Sequence, residues 1–265
     1  MRLNASCEIA FETGVFVPAI LMLRPRSGWG QWIAREEYAF QPRVPVIEFT
    51  DIFGNLCQRV VIPPGEMKLR ACCTVETPDE VDVDVNAAYI LPGNLPESVL
   101  HFLYPSRYCP SDQLSALAGE IVRGVTPGYE QVEAIRAWMY ARVEYRYGTS
   151  TPATTALDTA HARVGVCRDF SHVGIALTRA LKIPARLVVG YLHEIDPMDL
   201  HAWFEAYIDG RWYTFDPTQP TPRGGRLAVG YGRDAADVAF LSNYGSIEMG
   251  DMHATVERVA GPATG

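Results

Sequence analysis

The chain has 265 residues, of which 48% are hydrophobic and 20% charged. This composition predicts a globular protein with one large domain or two modest ones, and excludes an intrinsically disordered chain. The formal net charge of −8 argues against nucleic acid or an anionic membrane surface as the main partner.

The start of the chain lacks the basic segment and long apolar run of a signal peptide. The most apolar early run, residues 15–23, is too short to span a bilayer and contains Pro18. We therefore expect a cytoplasmic location and no membrane partner.

Six cysteines are spread irregularly along the chain, without a C-x-x-C pair: Cys7, Cys57, Cys72, Cys73, Cys109 and Cys167. A chain of this length without a signal peptide does not favour a disulfide framework. We expect five of them to be small buried hydrophobic residues, whereas Cys167 is set apart by its neighbours.

Residues 1–105 are predicted to form a β-rich N-terminal domain of sandwich or barrel type. Short segments rich in β-branched and aromatic residues are separated by turn signals; they are 7–11, 19–23, 44–49, 58–62, 69–76 and 81–85. A proline-rich junction at residues 91–110 leads to a second domain, residues 106–265. Further strand-like segments at 226–231 and 252–259 are expected to complete its sheet.

Helices are predicted at the start of the second domain. Ser111 or Asp112 can cap a first helix that ends near Gly124, and a second begins near Pro127. Thr155 and Asp158 have the spacing of a capping box that opens a third, short helix.

Residues 165–179, GVCRDFSHVGIALTR, indicate a loop that becomes a helix with Cys167 in its first turn. Free N–H groups and the positive end of the helix dipole at this position favour a thiolate. The small residues Ser171, Gly174 and Thr178 follow Cys167 along the same face, which would allow another backbone to approach closely.

A β-hairpin with the turn Asp209-Gly210 follows the buried strand 185–191. If Ile208 pairs with Arg211, Trp203 lies opposite Asp216. His201 and Asp216 are then diagonal neighbours on one face, roughly 7 Å apart between backbones. A slip of one residue would put them on opposite faces.

Cysteine, histidine and aspartate are the components of an acyl-transfer site. The Cys167 thiolate would be the nucleophile, His201 the acid and base, and Asp216 the group that orients the imidazole. The Cys167 N–H would stabilise an oxyanion, with Tyr147 and Trp203 as candidates for a second donor. Taken singly, each triad residue has an ordinary structural interpretation, but their spacing and facing agree with a catalytic one.

Neighbouring polar residues have structural interpretations. Asp169 is expected to form an ion pair, for which Arg186 is a candidate partner, and His172 is expected to support the core. The spacing of the polar residues at 193–201 fits no standard zinc site, and no calcium loop is present in the sequence.

The segments GVCRDFSHVGIALTRALKIPARLVVGY and DLHAWFEAYIDGRWYTFDPTQ resemble the transglutaminase-like superfamily, specifically its bacterial cysteine proteases. PSRYCPSD, GRDAADVAF and the β-rich N-terminal region strengthen the resemblance. It implies an α+β fold, in which a papain-like core carries the cysteine helix on an antiparallel sheet, and the triad Cys167, His201 and Asp216. It implies no cofactor.

The function predicted first is a thiol-dependent enzyme that cleaves amide bonds of a peptide or protein substrate through an acyl-enzyme. The alternatives are a transglutaminase that transfers the acyl group to an amine, and a non-catalytic scaffold that keeps the fold. The substrate and the oligomeric state are left open.

Overall fold

The computed structural model describes residues 1–28 and 30–259. The strands in these residues are β1 (Arg2–Thr13), β2 (Val17–Arg24), β3 (Trp32–Gln41), β4 (Ile47–Thr50), β5 (Leu56–Ile62), β6 (Gly65–Glu76), β7 (Glu144–Tyr145), β8 (Val164–Gly165), β9 (Ala185–Leu192), β10 (His201–Ile208), β11 (Arg211–Phe215), β12 (Arg226–Gly232), β13 (Leu241–Asn243) and β14 (Glu248–Arg258). The α-helices are α1 (Glu97–Leu100), α2 (Ser115–Ile121), α3 (Tyr129–Arg142), α4 (Ala156–Ala162) and α5 (Cys167–Ala180). Within the described ranges, the longest helices are too short or too polar to cross a bilayer.

Two antiparallel sheets form a sandwich from the N-terminal strands. Their strand orders are β14-β1-β6-β3 and β13-β2-β5-β4. Both sheets contribute to one apolar core, with Ile9 and Phe11 from the first sheet and Leu21 and Ile62 from the second. The predicted β-rich N-terminal region is confirmed, and its edges carry strands from the end of the chain.

A third antiparallel sheet, with strand order β11-β10-β9-β12, carries the predicted hairpin. The strand-like segment at 226–231 joins this sheet as β12, as predicted. The segment at 252–259 was assigned wrongly, because β14 pairs with β1 in the sandwich. Residues 81–85 were also predicted wrongly as a strand; their alternating pattern has no partner strand in the described residues.

Helix α5 is buried on all sides, and not only along the predicted apolar stripe. It packs on β9 and β10 on one side and on α2, α3 and α4 on others. The charged side chain of Arg179 is buried there and finds its hydrogen-bond partners within the protein. The Arg179 guanidinium, 1% exposed, donates to the carbonyls of Tyr104, Ala185 and Arg233.

Gly174 sets the distance between α5 and the third sheet. A Cβ at this position would lie 2.4 Å from Cε1 of the buried Phe204 on β10. The predicted small-residue face thus serves for close approach of the sheet, and Gly174 is where the contact is tightest.

Gly174→Ala is expected to lower the free energy of unfolding by about 1–3 kcal/mol, because the ring of Phe204 must move within a filled core. Urea unfolding at neutral pH measures this change. Gly119→Ala in α2 is the matched control, since its Cβ would meet nothing within 4 Å; it is expected to be neutral or stabilising. Equal effects of the two substitutions would contradict the packing argument.

Candidate active site

Cys167 is the first residue of α5 and is partly exposed. The preceding Val166 has an extended backbone, and its N–H donates to Oδ2 of Asp169, 3.1 Å away. Gly165 permits this turn, since a Cβ there would lie 2.8 Å from Cβ of Asp169. The local sequence therefore places the thiol at the positive end of a buried helix, as predicted.

Asp169 forms a structural ion pair, but its partner is not Arg186. Nη2 of Arg168 lies 2.9 Å from Oδ1 of Asp169, and the Ser150 hydroxyl donates to the same oxygen. Arg186 pairs with Glu205, which lies directly opposite it on β10. Residues directly opposite each other on neighbouring strands are close enough to form an ion pair. The register of β9 against β10 therefore determines the partner of Arg186.

The hairpin of β10 and β11 has the predicted register, with Ile208 opposite Arg211 and Phe204 opposite Phe215. This register brings Nε2 of His201 to 2.7 Å from Oδ2 of Asp216. The two side chains are 1% and 3% exposed. The charge-assisted hydrogen bond between them is therefore shielded from water.

His201 is held in its cationic form by its neighbours. Burial by itself lowers the pKa of His201, but the Asp216 carboxylate and the nearby Cys167 thiol outweigh burial and raise it to about 9. Nε2 is taken by Asp216, so Nδ1 is the ring atom left for Cys167. Nδ1 makes no hydrogen bond with the described residues, so it is free to exchange a proton with the thiol or a substrate.

Asp216 is fully surrounded by donors. Oδ2 receives His201 and lies 3.0 Å from Nη1 of Arg226, while Oδ1 accepts from the N–H and the hydroxyl of Thr218. Burial raises the pKa of Asp216, but the charges of His201 and Arg226 prevail and hold it well below its usual range. Arg226 has no local signal in the sequence, because only the pairing of β12 with β9 brings it to Asp216.

Tyr145 is a second residue that the sequence analysis missed. β7 pairs in parallel with β8, which puts Tyr145 opposite Gly165 and its ring 5.8 Å from that of Phe170. Burial raises the pKa of its phenol, and the neighbouring Cys167 thiol and Tyr147 raise it further. Tyr145 is therefore a neighbour of Cys167 at the start of α5.

Tyr147 and Trp203, the two residues predicted as second oxyanion donors, contact other aromatic or charged side chains. Tyr147 contacts Tyr145 edge to face, with ring centroids 5.4 Å apart. Trp203 is buried beside His201, and Arg226 lies over its ring. These contacts do not test the two earlier predictions, and Tyr145, whose phenol interacts with the Cys167 thiol, is a further candidate donor.

His172 supports the site from within the core, as predicted. It is stacked on Tyr108 with ring centroids 5.2 Å apart, and its Nε2 accepts from the N–H of Ala235. Burial lowers its pKa to about 4, so the ring is neutral at pH 7. Among the described residues, no cluster of His, Cys, Asp and Glu could hold a metal ion.

The other five cysteines are also free thiols, and four of them are more deeply buried than Cys167. Cys7, Cys57, Cys73 and Cys109 are buried, as predicted. Burial raises the pKa of Cys57 to about 11 and the pKa values of the other three to about 12. Cys72 is partly exposed, contrary to the prediction, and therefore serves as a reference thiol for Cys167.

Comparison with known proteins agrees with this geometry. The family model described as the transglutaminase-like superfamily matches residues 115–217. A crystal structure from Cytophaga hutchinsonii, of a protein called "a putative cysteine protease", is 34% identical, with a TM-score of 0.91 over 100% of this chain and 92% of that one. The papain-like α+β fold is therefore shared along the whole chain.

Two mycobacterial relatives are themselves uncharacterized. The protein from Mycobacterium leprae is 27% identical over 91% of this chain and 82% of its own length. The protein from Mycobacterium tuberculosis is 31% identical over 56% of this chain, which spans about half of that relative. Together with the match along the full C. hutchinsonii structure, these findings show that the chain belongs to the transglutaminase-like superfamily.

Proposed function

We propose that this protein is a cysteine hydrolase, a peptidase or amidase, with Cys167, His201 and Asp216 as its catalytic triad. The observation that carries the proposal is the single imidazole of His201, which is bonded through Nε2 to buried Asp216, leaves Nδ1 unpaired and has Cys167 as a neighbour. This is the arrangement that an acyl-transfer site needs.

The proposed reaction proceeds through an acyl-enzyme. The Cys167 thiolate adds to the carbonyl carbon of the amide, forming a C–S bond and an oxyanion. The C–N bond then breaks, and His201 gives its proton to the leaving amine. Water next gives a proton to His201 and forms the new C–O bond, after which the C–S bond breaks and the carboxylic acid leaves.

The surroundings of the triad support this reaction. A pKa of about 9 for His201 keeps the ring protonated at pH 7, so it can stabilise a thiolate and then act as the acid. The Cys167 N–H and the Tyr145 hydroxyl are the two donors proposed for the oxyanion. A peptide substrate is favoured by the description of the C. hutchinsonii relative as a cysteine protease.

The alternative reaction is transfer of the acyl group to an amine, as in a transglutaminase. It would use the same residues, since only the nucleophile of the second step changes. A scaffold without activity is disfavoured, because all three triad residues are present and in contact range.

Product analysis tests the proposed function. The protein is incubated with a mixed peptide library in ¹⁸O-labelled water, with and without methylamine, and Cys167→Ala is the control. Hydrolysis puts ¹⁸O into new carboxyl groups, whereas transfer gives methylamides. New carboxyl groups that depend on Cys167 support the proposal; predominant methylamide formation would favour the alternative. Absence of both products, with Cys167 also unlabelled by peptidyl acyloxymethyl ketones, would contradict any thiol enzyme.

A further inference from the structure

The side chain of Arg226, at the start of β12, is buried against the triad. Its Nη1 lies 3.0 Å from Oδ2 of Asp216. The same carboxylate oxygen receives Nε2 of His201 at 2.7 Å. One oxygen atom therefore joins an imidazole and a guanidinium in a site from which water is largely excluded.

The contacts around Arg226 fix its position. Its Nε donates to the carbonyl of Arg223, and its guanidinium lies over the Trp203 ring, 5.0 Å from the centroid. Its own carbonyl accepts from the Thr77 hydroxyl at 2.7 Å.

The N-terminal part of the chain also holds the loop before Arg226. The Gly225 N–H donates to the carbonyl of Pro78. A Cβ at Gly224 would lie 2.2 Å from the carbonyl oxygen of Asp79. The segment from Thr77 to Asp79 is thus packed directly against the backbone that presents Arg226 to the triad.

The charges around this group decide what Arg226 contributes. Besides Asp216, Arg226 has Arg223 and Glu205 as charged neighbours, while His201 has Asp216 and Cys167. Glu205 is already paired with Arg186. Arg226 is therefore the permanent cation that acts on Asp216.

A permanent cation matters because His201 changes its charge during the proposed reaction. When His201 gives its proton to the leaving amine, Asp216 would become a buried carboxylate without compensation, at a cost that opposes the transfer. Arg226 compensates the carboxylate in both states of the ring. It also weakens the electrostatic attraction between the Asp216 carboxylate and the proton on His201.

We propose that Arg226 is a positioning residue that holds Asp216 ionised and sets the acidity of the catalytic pair, and that the N-terminal segment from Thr77 to Asp79 keeps it in place. This inference rests on the proposed function. It gives the N-terminal region a part in the chemistry without any contact with the substrate.

The test is the pH dependence of Cys167 alkylation by iodoacetamide in Arg226→Gln and Arg226→Lys. Removing a buried positive charge makes the remaining groups bind protons more tightly, so the rise of the alkylation rate in Arg226→Gln is expected to move upward by about one to two pH units. Arg226→Lys keeps the charge and should stay within about half a unit of the wild type.

A profile of folded Arg226→Gln that coincides with the wild type would overturn the inference. Should that variant fail to fold, Arg226→Lys decides, since a displacement of a full unit despite the retained charge would equally overturn it. Failure of the proposed function has a different signature, because wild-type Cys167 would then react no faster than Cys72.

Discussion

Cys167→Ala is expected to abolish amide hydrolysis, lowering kcat/KM by about 10⁴-fold or more. The reason is that no other described thiol can replace the nucleophile. Cys7, Cys57, Cys73 and Cys109 are buried. Cys72 lies in the sandwich, opposite Ser6 of β1 and Glu37 of β3, and these strands carry none of the three proposed catalytic residues. Release of new amino groups from a cleaved peptide measures the effect.

The matched control is Cys72→Ala, which removes the other partly exposed thiol. It is expected to keep wild-type activity and stability. The Cys167→Ala protein should also keep its fold, because the side chain that is removed is small and lies at the surface end of α5. Residual hydrolysis above about one per cent in folded Cys167→Ala would contradict a thiol nucleophile.

Tyr145→Phe is expected to give the second-largest loss, about 10²-fold to 10³-fold in kcat, by removing one of the two proposed oxyanion donors. The ring and its packing on Phe170 remain, so the free energy of unfolding should change little. The alkylation rate of Cys167 should also persist, since the oxyanion forms only after attack on a carbonyl. Steady-state kinetics and iodoacetamide labelling on the same preparations separate these effects.

Tyr147→Phe is the matched control for this prediction. Tyr147 has the same side chain two residues away and contacts Tyr145 edge to face. Its loss of a hydroxyl is expected to change kcat by less than about threefold. Equal losses of kcat in the two variants would contradict a role for the Tyr145 hydroxyl in the reaction. They would indicate a general effect on the loop instead.

The contact between His201 and Asp216 could be predicted because each step depends on local sequence signals. The Asp209-Gly210 turn fixes the hairpin register, and the register fixes the distance between His201 and Asp216. The capping box of Thr155 and Asp158 likewise forms at the start of α4. Such signals act over a few residues and need no knowledge of the topology.

Arg226 and Tyr145 could not be predicted in this way. Arg226 reaches Asp216 only because β12 pairs with β9, and Tyr145 reaches Cys167 only through the short pairing of β7 with β8. Strand partners distant in sequence leave no local pattern. The burial of Arg179 in α5 escaped prediction for the same reason, since its partners lie on other elements.

Two of the errors concern whether a segment forms a strand. β3 was missed because its sequence, WIAREEYAFQ, puts charged residues on an edge strand that is mostly exposed. Residues 81–85 alternate as a strand should, yet they lack a partner in the described sheets, and alternation alone does not create one. The boundary near residue 105 between two domains stays a prediction.

The most direct test of the account is the alkylation rate of Cys167 as a function of pH, read by mass spectrometry with Cys72 as the internal reference. Because the pKa of His201 is raised to about 9, its cation is present at all lower pH values and is lost only as the pH rises through that value. We therefore predict fast labelling of Cys167 well below pH ~8.5, where ordinary thiols react slowly, and loss of this fast labelling in His201→Ala. Labelling of wild-type Cys167 that follows Cys72, or that is unchanged in His201→Ala, would contradict the thiolate–imidazolium pair.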